Sequence, residues 1–201
     1  SFPTTELSII ASLPNLKSLT VSDCGISTIA GLEGATSLEY LDLSSNGGLR
    51  SLEVLTPMTT LKELYLQHNA VVDLSSLIGL TNLQKLDVSY NALTTLAPIA
   101  SCIRLNWINA DGNQLATLDG VCELTLLSEL SVDYNKLTDI SGLASCPELM
   151  VLSIANNQIT DISDLASLPK LEKLDFSYNT VTYLPTWQEG CTLRTIDGSY
   201  N

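Results

Sequence analysis

Asparagine recurs at positions 46, 69, 91, 113, 135, 157, 179 and 201, spaced 23 residues once and 22 thereafter. Recurrence in one phase means one supersecondary unit used repeatedly, because no single unit of this size buries its own apolar side. Each Asn sits in the frame L-x-x-L-x-L-x-x-N-x-L-x-x-L-x-x-L-x-x-L-x-x. Two instances are Leu83, Leu86, Val88, Asn91, Leu93, Leu96, Ile99 and Cys102, and Leu149, Leu152, Ile154, Asn157, Ile159, Ile162, Leu165 and Leu168. The first clear unit, Leu16, Leu19, Val21, Cys24, Ile26, Ile29, Leu32 and Ala35, has Cys where Asn is expected. The second carries one extra residue, near Gly47-Gly48 or Thr56-Pro57.

The Leu-x-Leu alternation makes a short strand with one face inward, and the Asn amide turns the chain by bonding backbone groups of its own and the neighbouring unit. Apolar residues at three-residue spacing then suit a 3₁₀ or short helical return. The expected fold is an α/β repeat solenoid, a curved array with a concave parallel β-sheet and a convex side of 3₁₀ and short helices. Frame positions 3, 5 and 7 should face solvent on the sheet, and positions 8 and 10 should line its edge. Composition agrees: Leu dominates a 45% hydrophobic chain that has two Phe and two Trp.

Across residues 4–201 the frame resembles leucine-rich repeats of the 22-residue type, as in bacterial internalins and the SDS22-like regulators of protein phosphatase 1. The stretches Asn156-Asn157-Gln158-Ile159-Thr160-Asp161-Ile162-Ser163-Asp164-Leu165 and Leu137-Thr138-Asp139-Ile140-Ser141-Gly142-Leu143 look particularly like internalin units. The resemblance implies binding of a protein by the concave face and a secreted or cell-surface location. The SDS22-like likeness implies instead an intracellular scaffold docking an enzyme such as a phosphatase, and a passive spacer is a third reading. Neither a helical N-terminal cap nor an immunoglobulin-like C-terminal cap is recognisable. Nine periods of 22 residues and one insertion separate residue 2 from Asn201, so both fall inside a repeat. The expectation is a single leucine-rich repeat domain over 1–201, with about nine repeats, cut from a longer protein.

Nine Lys and Arg against 22 Asp and Glu give a formal net charge of −13. Phosphate backbones and anionic headgroups are therefore poor partners, and no apolar stretch approaches the roughly 20 residues that span a bilayer. Of the cysteines, Cys24 replaces a ladder Asn and Cys102 and Cys146 replace outer-face apolar residues, so core filling is expected over disulfides, although Cys102 and Cys122 lie in adjacent repeats. Cys191 completes a set of five without a C-x-x-C pair, which argues against zinc. No metal or cofactor is expected. The only histidine, His68, sits at the sheet edge, where a shallow arc offers a nucleophile neither burial nor an oxyanion site, so no enzyme is expected.

Carboxylates align on the inner face: Asp42, Asp87, Asp175 and Asp197 at position 5, Glu63 and Glu129 at position 3. With neighbouring strands about 5 Å apart, Asp175 and Asp197 could sit close and have raised pKa values, but a solvated charged face is the reading favoured over an acid-base pair. The aromatics are the sharper signal. Tyr40 and Trp107 occupy position 3, Tyr65 position 5, and Tyr90, Tyr134, Tyr178 and Tyr200 position 8. Tyr and Trp concentrate binding energy at interfaces. The position-8 tyrosines admit a plainer reading, local packing of a duplicated Ser-Tyr-Asn. The candidate partner-binding set is Tyr40, Asp42, Glu63, Tyr65, His68, Asp87, Tyr90, Trp107, Asn109, Glu129 and Tyr134, and the expected partner is a protein with a basic patch. A glycan is the alternative ligand, since aromatic platforms also suit sugar rings.

Overall fold

A computed structural model describes residues 4–187 and 189–201; Phe2, the residue used above to phase the N-terminus, lies outside them. Among the described residues nine three-residue strands form one parallel sheet in chain order. They are β1 (Ser18–Thr20), β2 (Tyr40–Asp42), β3 (Glu63–Tyr65), β4 (Lys85–Asp87), β5 (Trp107–Asn109), β6 (Glu129–Ser131), β7 (Val151–Ser153), β8 (Lys173–Asp175) and β9 (Thr195–Asp197). Every strand pair is in register by frame position, as in Leu64 opposite Leu86 and Leu86 opposite Ile108. Each side chain therefore stands beside its counterpart in the next repeat at about 4.8 Å strand spacing.

From β2 to β8 the middle residue of each strand is buried, and together these residues form one wall of a continuous leucine core. The opposite wall comes from the outer returns. Among the described residues these contain 3₁₀ helices at Glu53–Leu55, Ser75–Leu77, Ala97–Ser101, Ser141–Ser145 and Ser163–Ser167. Each buries one apolar residue, Leu55, Leu77, Ile99, Leu143 or Leu165, as three residues per turn dictates. Asp73, Asp139 and Asp161 start three of these turns by accepting the amide two residues on, at 2.8 to 3.0 Å. The resulting architecture is the expected curved solenoid.

The N-terminal region departs from expectation, since an α-helix, α1 (Thr4–Ala11), opens the described chain. It has neither Gly nor Pro, buries Leu7 completely and rests Ile10 on the core. Leu7 and Ile10 are three residues apart, the same spacing as the outer-face residues, so one pattern serves both helix types.

The Asn ladder shows how the repeats are fastened. Asn113 Nδ2 donates to Val88 O of the preceding repeat at 3.0 Å and to Ala110 O and Asp111 O of its own at 3.1 and 3.2 Å, while its Oδ1 accepts Leu93 N at 3.0 Å. Asn91, Asn135, Asn157, Asn179 and Asn201 have the same pattern. Cys24 reproduces a single part of it, its thiol reaching Ser22 O at 3.1 Å.

Of the two sites considered for the extra residue, the structure selects Gly47-Gly48. Ala70 N bonds Leu49 O, where Ala92 N bonds Val71 O in the next repeat, so the frame is already restored at Leu49. Gly47 adopts φ +68°, a conformation glycine takes at little cost. The insertion displaces the amide that the next ladder residue would receive, and Asn69 Oδ1 is buried without a partner among the described residues.

Candidate functional site

The register gathers side chains from repeats 22 residues apart into the middle of the concave sheet. The Tyr40 and Tyr65 rings lie 5.4 Å apart at 41°. Tyr65 OH donates to Glu63 Oε2 at 2.9 Å, and Lys85 Nζ sits 3.5 Å from Glu63 Oε1. Burial, reinforced by the Glu63 bond, holds the Tyr65 hydroxyl well above its ordinary pKa, and burial likewise raises that of Tyr40, so both rings are neutral hydrogen-bonding groups. Tyr65, Lys85, Trp107 and Glu129 line a cavity of about 320 Å³. Across Trp107 lies a second hollow of about 140 Å³, lined by Trp107, Ile108, Glu129, Leu130, Ser131, Val151 and Ser153. Three predicted residues, Tyr65, Trp107 and Glu129, thus meet in one cavity; Tyr40 and Glu63 adjoin it through Tyr65.

The position-5 polar residues have another duty. Asp42, Asp87, Asn109, Asp175 and Asp197 each accept the backbone amide two residues ahead, at 2.9 to 3.0 Å, and so close the end of their own strand. Asp87 also takes the Ser89 hydroxyl at 2.7 Å and is only 8% exposed, so its carboxylate is not the open contact the sequence suggested. Burial raises its pKa. Position 7 departs from expectation too: Ser44, Ser89 and Ser177 are buried rather than solvent-facing.

In the repeats whose position-5 residue is Ser131 or Ser153, the preceding repeat supplies the carboxylate. Asp111 Oδ1 accepts Ser131 Oγ and Asp133 N, both at 2.7 Å. Asp133 Oδ1 accepts Ala155 N at 2.7 Å and Ser153 Oγ at 2.8 Å. These position-7 residues, absent from the predicted set, clamp three successive repeats. The sequence signal was the pairing of Ser131 and Ser153 with an Asp 20 residues earlier. Burial raises the pKa of Asp111, and burial with the nearby Asp111 and Asp175 charges pushes Asp133 up to about 6.

The pH consequence follows from linkage. A carboxyl whose folded pKa is raised binds a proton in the folded state that the unfolded chain releases, so its contribution is full below about pH 4 and is lost as pH rises through 6. Relative to Asp133→Asn, the unmodified chain should lose on the order of 1–2 kcal/mol between pH 4 and 7, because partial solvent screening reduces the full linkage value. Paired denaturant titrations at the two pH values check this, and parallel profiles would contradict it. The expectation for Asp197 is corrected: it is the register partner of Asp175, but the Ser199 hydroxyl and amide hold it below the ordinary carboxylate value.

At the sheet edge, position 8 takes a left-handed backbone throughout, with φ from +52° to +57° at Asp23, Ser45, His68, Tyr90, Tyr134, Asn156, Tyr178 and Tyr200, and +62° at Gly112. His68 stacks on Tyr90 with ring centroids 4.5 Å apart, and Tyr178 on Tyr200 at 4.3 Å. Gly112 continues the first stack, since a Cβ there would meet the Tyr90 ring at 2.7 Å. Local packing therefore accounts for much of this edge, as the plainer reading anticipated. Tyr134 differs, being 59% exposed next to Asn156 rather than another ring.

Cys102 and Cys146 are buried in the core, Cys24 and Cys122 are half-buried, and Cys191 is exposed, which corrects its reading as filler. Among the described residues no group of three His, Cys, Asp or Glu is placed to hold a metal ion. The central sheet offers aromatic faces, a carboxylate and an ammonium to a ligand held against it.

Comparison with known proteins agrees with this architecture. The family model described as leucine-rich repeats (2 copies) matches residues 5–57, 59–101 and 147–188. The chain belongs to the leucine-rich repeat family, whose arrays of this kind generally mediate protein–protein recognition. Its repeats are internalin-like. It is 28% identical to internalin C2 of Listeria monocytogenes, with TM-score 0.86, over 97% of this chain and 83% of that one. Against an internalin F of the same organism it is 26% identical with TM-score 0.72, over 97% of this chain and 62% of the other. Against a leucine-rich repeat protein of Leptospira interrogans it is 26% identical with TM-score 0.82, over 96% of this chain and 57% of the other. No curated protein matches the chain.

Proposed function

We propose that this chain is a non-catalytic recognition module that holds a protein partner against its concave face, at the cell surface or in secreted form. The observation that carries the reading is the convergence of Tyr65, Lys85, Trp107 and Glu129 on one open cavity, beside Tyr40 and Glu63. Half-buried aromatic side chains on outward strand positions stabilise no core, and such residues with charged neighbours are what interface hot spots consist of. The net charge of −13 favours a partner with a basic patch. Likeness to internalins supports the surface or secreted location, and no helix among the described residues is long and apolar enough to cross a membrane.

Affinity capture from candidate extracts, at low and at physiological salt, tests the reading. The unmodified chain should retain a partner that the Tyr65→Ala/Trp107→Ala variant retains at least about fivefold more weakly, or roughly 1 kcal/mol. Higher salt should weaken capture further. Equal capture by both chains would place binding elsewhere, and retention of glycans alone would favour the sugar-binding alternative.

A further inference from the structure

The two hollows on the concave face are unlike each other, and their difference points to the chemistry of the occupant. In the larger one, the Lys85 ammonium is directed to Glu63, which also receives the Tyr65 hydroxyl. Glu129 is exposed on the cavity wall and has no ion pair among the described residues, and it stands one strand from Trp107. The cavity thus presents an indole beside a carboxylate available to a guest. A planar guanidinium fits this pair better than an ammonium, because it stacks on the indole and offers a fork of donors to the carboxylate. An anionic guest would meet Glu129 in a chain of net charge −13, with the Lys85 charge offset by Glu63.

The smaller hollow, about 140 Å³, shares Trp107 and Glu129 with the first but replaces Tyr65 and Lys85 with Ile108, Leu130, Val151 and two serines, which suits a small apolar side chain. The first hollow spans β3 to β6 and the second β5 to β7, so their midpoints are one and a half strand spacings apart. At about 4.8 Å per strand that is roughly 7 Å, the distance between alternate side chains of an extended chain.

Resting on the concave-face reading above, we infer that an extended peptide segment of the partner crosses the strands here, with an arginine in the larger hollow, against Trp107 and within reach of Glu129, and a small apolar residue two positions away beside Val151. Arginine sets the position and the apolar residue sets the direction. The residues that discriminate, Glu129 and Val151, both occupy outward strand positions, so substituting them leaves the core intact.

The test uses the capped pentapeptide acetyl-Gly-Arg-Gly-Val-Gly-amide and versions with Lys or Gln for Arg, or Gly for Val. The readout is the indole N–H resonance of Trp107, assigned by its loss in Trp107→Phe. The expected result is a saturable shift with affinity falling from Arg to Lys to Gln, the Gln peptide binding at least about tenfold more weakly. Glu129→Gln should weaken the Arg peptide severalfold, and Val151→Phe should abolish the advantage of Val over Gly while preserving that of Arg over Gln. No shift, equal affinity for Arg and Gln, or indifference to Glu129→Gln would overturn the inference. Each of those outcomes leaves the broader reading to the capture experiment, where loss of a partner from the Tyr65→Ala/Trp107→Ala variant would keep the concave face as the site without an arginine subsite.

Discussion

Leu86→Ala is expected to lower stability by about 2–5 kcal/mol while Trp107→Ala, one strand away, leaves it nearly unchanged. Leu86 is fully buried at the centre of β4, between Leu64 and Ile108, which are 0% and 1% exposed. Truncation leaves a void that the neighbouring repeats close only by shifting, and their shared Asn ladder resists that shift. Trp107 points the other way and lines the concave cavities, so its loss removes little core contact. Denaturant unfolding of the two variants measures the contrast. Comparable losses would mean that the facing of the strands has been misread.

Asn113→Ala should cost about 2–4 kcal/mol, more than the same change at Asn69. The Asn113 amide group makes four hydrogen bonds, and its removal strands buried backbone groups of two repeats, each at roughly 1–3 kcal/mol less any rescue by water. Asn69 has the Nδ2 bonds to Leu43 O and Leu66 O, both 2.9 Å, but its Oδ1 receives nothing among the described residues. It is also less buried than Asn113. Thermal unfolding of the two variants under one condition decides between this ranking and an equal cost at every ladder position.

The fold was legible in the sequence because its two determinants, inward Leu and ladder Asn, are local in each unit and repeat without much exception. A period of 22 residues also places Tyr40, Tyr65, Trp107 and Glu129 on the correct face, since outward positions follow from strand alternation alone. What depends on side chains closing on one another, within a unit or between units, was not legible. In the sequence Asp87 reads as an open carboxylate, but Ser89 folds back on it, and Asp111 and Asp133 read as incidental, but Ser131 and Ser153 reach them from the next repeat. His68 and Tyr90 read as two separate edge residues, yet their left-handed turns stack one ring on the other. Helix α1 went unrecognised because three-residue apolar spacing is common to 3₁₀ and α-helical returns. The insertion at Gly47-Gly48 was resolved only by the backbone bond from Ala70 to Leu49.

Bonds at the strand ends also narrow the candidate site. Asp42, Asp87 and Asn109 support the backbone beneath the concave face, whereas Tyr40, Glu63, Tyr65, Trp107 and Glu129 remain outward in its centre. The central claim is that a partner covers those outward side chains. Hydroxyl-radical footprinting of the chain alone and with its captured partner tests this most directly, because Tyr and Trp side chains report their own exposure. The account predicts protection of Tyr40, Tyr65 and Trp107, with Tyr183, 54% exposed away from the concave sheet, unchanged. Protection of Tyr183 with undiminished oxidation of Tyr65 and Trp107 would contradict it.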